Sequence, residues 1–262
     1  MYAAPPIYYI LPAGNFGMPS NMKKFYSKTK RIIREFFFAL KFLKNPFVYY
    51  GERLGIFPDK KITLRVRGGP SYLIDANVNQ ARALDEIWHL KIYDRFLKNL
   101  KPGSVIIDIG ANVGIFSVKV ATTVQNTKVF SYEPQPRNFE ILKENIGLNK
   151  LDDVIFPFNM AVSDKTGSID LFFNECDSGG GSLYNYSPAF NRKKTVSCIT
   201  LTDIFKTNKI RKCDFLKMDC EGAEEQILLK TPPELLSRIK SITMEWHTGL
   251  NKLSIEEFKR FL

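Results

Sequence analysis

Asp108, Gly110, Asn112 and Gly114 stand in one short stretch, Asp108-Ile109-Gly110-Ala111-Asn112-Val113-Gly114, directly after the apolar run Val105-Ile106-Ile107. A buried strand that breaks into a glycine turn and then a helix lets backbone approach a ligand where a side chain would clash. The helix N-terminus adds unpaired N–H groups. Glu133, in Ser131-Tyr132-Glu133-Pro134, falls about 20 residues past the turn, at the expected end of the next strand, where a carboxylate can accept both hydroxyls of a ribose. Strand, turn, helix, strand and acid together point to a nucleoside-cofactor site. The dinucleotide spacing G-x-G-x-x-G is absent here, and Asp108 would repel a pyrophosphate. A carboxylate at that place suits a ligand that carries an ammonium and a sulfonium.

A second set of reactive groups lies downstream. Asp219 and Glu221 follow one apolar run, and Glu245 and His247 follow the next. If the two runs are adjacent parallel strands, these four groups border one pocket, where a carboxylate or imidazole can take the proton of an acceptor hydroxyl. Two other readings stay open: Glu221 as a cap for the helix starting at Gly222-Ala223, and His247 as a structural histidine. A divalent ion held by some of these groups would serve the same chemistry. Ligands so dispersed do not define a metal site, and none is assigned.

The elements that must position these residues follow from periodicity. Strands are predicted near 104–109, 127–132, 154–158, 214–219 and 239–245, and helices near 113–123, 136–147, 201–207, 222–230 and 254–262. Their alternation predicts an α/β fold, a Rossmann-like, doubly wound and mostly parallel sheet with right-handed crossovers. Upstream, Ile62–Val66 and Tyr72–Ile74, joined by Gly68-Gly69-Pro70, read as a hairpin, and 79–100 reads as one helix. An insertion at about 164–200 carries two expected strands, 168–173 and 195–200. Its Gly-rich loop, 178–184, reads as a lid over the cofactor or as a hairpin tip.

The turn Asp108-Ile109-Gly110-Ala111-Asn112-Val113-Gly114 resembles motif I of class I S-adenosylmethionine-dependent methyltransferases, with Asn112 in place of the central glycine, as in the FkbM family. The resemblance continues through Tyr132-Glu133-Pro134 and Met160-Ala161-Val162-Ser163-Asp164. Its most specific part is Phe215-Leu216-Lys217-Met218-Asp219-Cys220-Glu221-Gly222-Ala223-Glu224. It implies S-adenosyl-L-methionine as cofactor, with Asp108, Gly110, Ala111, Asn112 and Gly114 around the methionine part, Glu133 on the ribose, and Met160 with Ala161 near the adenine. It also implies O-methylation of a hydroxyl on a sugar, glycolipid or secondary metabolite, with Glu221, His247, Glu245 and Asp219 as the candidate catalytic groups. The alternative is a methyltransferase-like protein that binds the cofactor without turnover. Class I methyltransferases normally add two further strands at the C-terminal side, which this sequence does not supply before Leu262. The Asn/Asp-Pro-Pro-Tyr/Phe turn that resembles the signature of base-amine methylation is missing at 219–222.

Charge narrows the partners. The 262-residue chain has a formal charge of +11, yet 13 Lys or Arg against three acids (Glu35, Glu52, Asp59) between Met22 and Arg67 hold ten of it. A near-neutral remainder argues against nucleic acid as substrate. Within 23–44, Phe25, Ile32, Ile33, Phe36, Phe37, Leu40 and Leu43 recur near helical spacing among Lys24, Lys28, Arg31, Arg34, Lys41 and Lys44. This basic amphipathic helix either attaches peripherally to an anionic membrane surface or packs on the main domain. Cys176, Cys198, Cys213 and Cys220 form no C-x-x-C pair and read as reduced core residues of a cytoplasmic protein, peripheral at the inner membrane surface where attached. Pro5, Pro6, Pro12 and Pro19 break the first segment, and Met18 or Met22 is the expected start of translation. The expected organisation is 1–21 disordered or untranslated, 22–75 a basic extension with the hairpin, and 76–262 the catalytic domain.

Overall fold

A computed structural model describes residues 7–12, 36–57, 60–76, 78, 80–174, 177–185, 190–246, 250 and 253–261. Its centre is a six-stranded sheet in the order β1-β12-β11-β4-β5-β6. The strands are β1 (Ile7–Pro12), β4 (Val105–Ile109), β5 (Lys128–Tyr132), β6 (Ile155–Phe158), β11 (Phe215–Met218) and β12 (Ser241–Trp246), and every pairing among them is parallel. The five predicted core strands are therefore present. From β4 the chain winds outward through β5 and β6, then returns to build β11 and β12 on the other side of β4. The reversal between β4 and β11 is a topological switch point, which opens a crevice at the carboxyl ends of those strands.

Both sheet faces are covered, which explains why these strands read as nearly continuous apolar runs. On one face Ile106 and Phe215 pack with Val113 of the turn and with Phe116, Ile141 and Leu142 from α5 (Ile115–Thr123) and α6 (Pro136–Leu148). The Phe215 ring lies between Phe96 at 5.5 Å and Phe116 at 5.9 Å. On the other face Ile107, Ile109, Leu216 and Met244 pack with α7 (Leu201–Thr207), α8 (Glu224–Leu229) and Phe258 of α10 (Ile255–Phe261). Truncating such a ring as Phe215 to Ala costs about 3–5 kcal/mol.

The upstream segments join the first of these cores. Residues 36–42 (α1) and α2 (Pro46–Arg53) contribute Phe38, Leu43 and Tyr49. The hairpin β2 (Lys61–Arg65) and β3 (Ser71–Asp75) contributes Leu64, Tyr72 and Ile74. The side-chain amide of Asn145 fastens it to α6, accepting from Leu73 N at 2.6 Å and donating to Leu73 O at 2.9 Å.

Four sequence expectations change. The segment 79–100 is not one helix: α3 (Gln80–Leu84) widens into a π-turn at Asp85–His89, Lys91 takes φ +54°, and α4 (Asp94–Leu97) follows. The left-handed residue breaks the axis and turns Tyr93 inward, where it is buried. Ile7–Pro12, expected in a disordered or untranslated leader, is the strand beside β12. That edge is where the family resemblance puts further strands. The insertion forms its own sheet, ordered β7 (Ala161–Val162), β10 (Arg192–Ile199), β8 (Gly167–Asn174) and β9 (Asp177–Ser182). The Gly-rich segment is thus largely a strand paired with β8, because cross-strand pairing outweighs its poor intrinsic β-propensity. The rest of 1–21, residues 23–35 of the basic helix, His247 and Cys176 lie outside the described residues. Among the described residues, no helix is long and apolar enough to cross a membrane.

Candidate active site

Parallel register sets the site. Residues paired across neighbouring strands project from the same face, so the pairings Thr243 with Lys217, Lys217 with Asp108, and Asp108 with Ser131 form one row of polar side chains beneath the crevice. One step further toward the carboxyl ends lies a second row: Glu245, Asp219, Gly110 and Glu133. Backbone bonds carry the ladder that far, with Asp219 N donating to Ile109 O at 3.1 Å, Gly110 N to Tyr132 O at 3.0 Å and Glu133 N to Phe158 O at 3.0 Å.

The lower row is closed to water. Lys217 Nζ donates to Asp108 Oδ1 at 3.0 Å and to Gly110 O at 3.1 Å, and lies 3.8 Å from Asp219 Oδ2. Ser117 Oγ donates to Asp108 Oδ2 at 2.6 Å and lies 2.8 Å from Ser131 Oγ. Burial opposes a charge on Lys217, but the Asp108 and Asp219 carboxylates outweigh it and hold the ammonium above the usual lysine range. Asp108 is fully buried and faces this ammonium. Its two oxygens are thus engaged by Lys217 and Ser117 at the floor of the crevice.

The glycines are likewise explained by the protein's own packing. A Cβ at Gly110, where φ is +75°, would lie 1.8 Å from Asp219 O, so only glycine lets the turn after β4 pass the end of β11. A Cβ at Gly114 would meet Leu142 of α6 at 2.4 Å. Asn112, at φ +51°, fills the turn's middle, and its Oδ1 accepts from Val113 N at 2.8 Å.

Glu133 faces this turn. Its Oε2 accepts from Asn112 N at 2.7 Å and its Oε1 from Gln135 N at 2.9 Å. The Asn138 side chain also hydrogen-bonds this carboxyl. Burial pushes the Glu133 carboxyl up to about 7, against the lowering effect of these two N–H groups and of Lys217. Asn159 Nδ2 donates to Glu133 O at 2.8 Å, bringing the 159–161 segment to the end of β5. Ala161 itself is buried in the second sheet and Met160 packs into the opposite core, so neither joins the row.

Past β11 the chain turns sharply, with Glu221 at φ +53° and Gly222 at φ +100°. Glu224, not Glu221, closes this turn, its carboxylate accepting from Cys220 N at 2.9 Å and Gly222 N at 3.0 Å. Ser182 Oγ donates to Glu221 O at 2.7 Å and Tyr184 OH to Gln226 Oε1 at 2.9 Å, so the insertion is pinned against this side of the crevice. A non-glycine residue held left-handed by surrounding bonds is a common mark of functional turns.

Sequence reasoning missed Lys217, Tyr93 and Ser182. Lys217 had a signal: a lysine between Leu216 and Met218 in a strand buried on both faces requires a charged partner. Burial holds the Tyr93 phenol far above its usual range, with Asp219, Asp108 and Glu245 adding to this and Lys217 opposing it. Nothing local in the sequence marks Tyr93 or Ser182, because tertiary packing alone brings them here. The two rows thus carry Asp108, Asp219, Glu245 and Glu133 against the single ammonium of Lys217. That acidic excess favours a cationic ligand and disfavours a pyrophosphate. A cavity of about 390 Å³ lined by Asp94, Lys98, Lys119 and Thr123 lies before β4 and β5, at the opposite strand ends.

Residues 108–260 match the family described as the methyltransferase FkbM domain. Methyltransferase sdnD of Sordaria araneosa is 23% identical over 203 residues, covering 67% of this chain and 78% of that protein. The 31-O-demethyl-FK506 methyltransferase FkbM of Streptomyces tacrolimicus is 24% identical over 214 residues, 71% of this chain and 81% of that protein. A shorter stretch of 66 residues is 35% identical to a tRNA (guanine(37)-N(1))-methyltransferase of Phytophthora infestans, 25% of this chain and 16% of that protein.

Proposed function

The chain belongs to the FkbM methyltransferase family, and from that premise we propose that it transfers a methyl group from S-adenosyl-L-methionine to a hydroxyl of a sugar, glycolipid or secondary metabolite. The observation that carries this reading is the acidic row Glu245, Asp219, Gly110 and Glu133 at the switch point between β4 and β11. When bound, the cofactor supplies a methyl group activated by a sulfonium. The donor set fits such a cation, with carboxylates in excess around the single ammonium of Lys217.

Glu133 accepts the ribose hydroxyls, and the 110–114 turn presents backbone groups to the methionine part. The 159–161 segment borders the adenine region through its backbone. Lys217, held as an ammonium, cannot serve as a base and instead fixes the Asp219 carboxylate and the Gly110 carbonyl. Asp219 and Glu245 line the crevice, and Glu221 stands beyond it on the strained turn. With His247, they are the candidates to orient the acceptor and take its hydroxyl proton as the new C–O bond forms. Alignment and exclusion of water then supply most of the acceleration. The name of one of the two longer relatives, the 31-O-demethyl-FK506 methyltransferase, favours a hydroxyl acceptor.

The test uses methyl-labelled cofactor with the full chain and separate pools of sugar and glycolipid acceptors and of tRNA. Label recovered as an alkali-stable ether on a sugar or small-molecule hydroxyl is expected. Label in tRNA alone would replace the acceptor class, as the short likeness to a tRNA methyltransferase would then indicate. Cofactor binding with no labelled product in any pool would favour the reading without turnover.

A further inference from the structure

Exposed large apolar side chains are gathered at one place on this protein. Among the described residues, Phe36, Phe37, Leu40, Phe47, Leu54 and Ile56 are exposed within 36–57, and only Leu90, Leu148 and Leu229 lie elsewhere. Phe47 is 81% and Leu54 75% exposed, values near those of an unfolded chain. Scattered apolar residues are normal on a surface, but a cluster of this kind marks an interaction site.

The cluster is one surface. The Phe36 ring stacks on Tyr50 at 5.1 Å and meets Phe37 edge-on at 5.8 Å, and Tyr50 OH donates to Phe36 O at 2.5 Å, joining α1 to α2. The inner sides of both helices, through Phe38 and Tyr49, are spent on the core, as is Leu43 between them. The outer aromatics are therefore not misplaced core residues. The described part of the basic helix thus packs on the core through Phe38 and leaves Phe36, Phe37 and Leu40 exposed.

Charge identifies the occupant. Lys41, Lys44, Arg53, Arg65 and Arg67 are exposed on or beside the same elements. Lys44 N donates to Arg65 O at 2.7 Å and Arg67 N to Phe42 O at 2.8 Å, which brings the end of β2 alongside α1. Ten of the chain's formal +11 charges belong to residues 22–67. A second copy docked here would bring two such clusters together and be repelled. A surface that is negative outside and apolar a few ångströms below meets both halves of the pattern.

We propose that the α1–α2 face docks on an anionic lipid bilayer, with Phe37, Phe47, Leu54 and Ile56 inserted among the acyl chains and the flanking Lys and Arg on the headgroups. This surface is independent of the methyl-transfer reading, since no residue of the crevice belongs to it.

The experiment is co-sedimentation of the full chain with vesicles of phosphatidylglycerol, against vesicles of phosphatidylcholine alone. The chain should partition at least about tenfold more strongly to the anionic vesicles, and this preference should collapse at high salt. A Phe47→Ser, Leu54→Ser, Ile56→Ser triple variant and, separately, Lys41→Glu with Lys44→Glu should each lower anionic partition at least about tenfold. Thermal unfolding identifies any loss of fold in the triple variant, in which case the lysine pair carries the test. Equal partition to both lipids, or no effect of either variant in folded protein, overturns the proposal. So does a dimer in sedimentation velocity that the triple variant dissociates while lipid binding is absent.

Discussion

The Lys217 ammonium lies 3.0 Å from the Asp108 carboxylate across the β4–β11 pairing, with both side chains closed off from water. Removing one member of such a pair leaves an uncompensated buried charge. Lys217→Met should therefore destabilise the protein by about 3–5 kcal/mol. Lys217→Met combined with Asp108→Asn should recover part of that loss, giving a coupling of roughly 0.5–3 kcal/mol in a double-mutant cycle by urea unfolding. Strict additivity would mean that the two groups do not compensate one another.

Two glycines with similar backbone angles should respond differently to the same substitution. Gly68, at φ +65°, has nothing within 4 Å of an added Cβ, so Gly68→Ala should cost only the left-handed penalty, roughly 1–2 kcal/mol. Gly110→Ala adds a Cβ 1.8 Å from Asp219 O and must displace the end of β11 as well. Chemical unfolding should show the larger loss at Gly110, and cofactor affinity should fall only there.

Glu221 holds a left-handed backbone at φ +53° that glycine would adopt without strain. Glu221→Gly should raise stability by about 1 kcal/mol, while Glu221→Gln should leave it unchanged. Both should lower turnover if the carboxylate acts on the acceptor. A Glu221→Gln variant with full turnover would remove Glu221 from the catalytic set and leave its turn as a structural feature.

Burial raises the Glu133 carboxyl to about 7 from its ordinary 4.5, so between these values the folded protein holds a proton that the unfolded chain has released. Stability should accordingly fall as pH rises from about 4.5 to about 7 and level off above, a contribution on the order of 3 kcal/mol. Glu133→Gln should remove that slope in unfolding curves taken across the window. Other titrating groups shift the whole curve, so the difference between parent and variant is the quantity to follow.

Much of the frame was legible because it is local. The run Val105-Ile106-Ile107, the turn through Gly110 and Asn112, and Glu133 one strand later are written in periodicity and turn chemistry, and their elements lie within two residues of where they were predicted. Long-range pairing was not legible. Ile7–Pro12 ends in a proline and sits among others, yet it lies at a sheet edge, where a missing N–H is tolerated. Asp177–Ser182 reads as a loop by composition and becomes β9 only because β8 offers a partner. The ion pair of Asp108 was hidden for the same reason: its partner Lys217 is 109 residues away, and register alone brings them together.

Calorimetric titration of the full chain and of Glu133→Gln with S-adenosylhomocysteine at pH about 8, where Glu133 is ionised, comes first. The parent should bind in the micromolar range. The variant, still folded by thermal unfolding, should bind at least about tenfold more weakly, since a charge-assisted hydrogen bond is worth about 1.5–3 kcal/mol. No binding by the parent, or equal binding by the two, would contradict a cofactor held over Glu133 at the β4–β11 switch point.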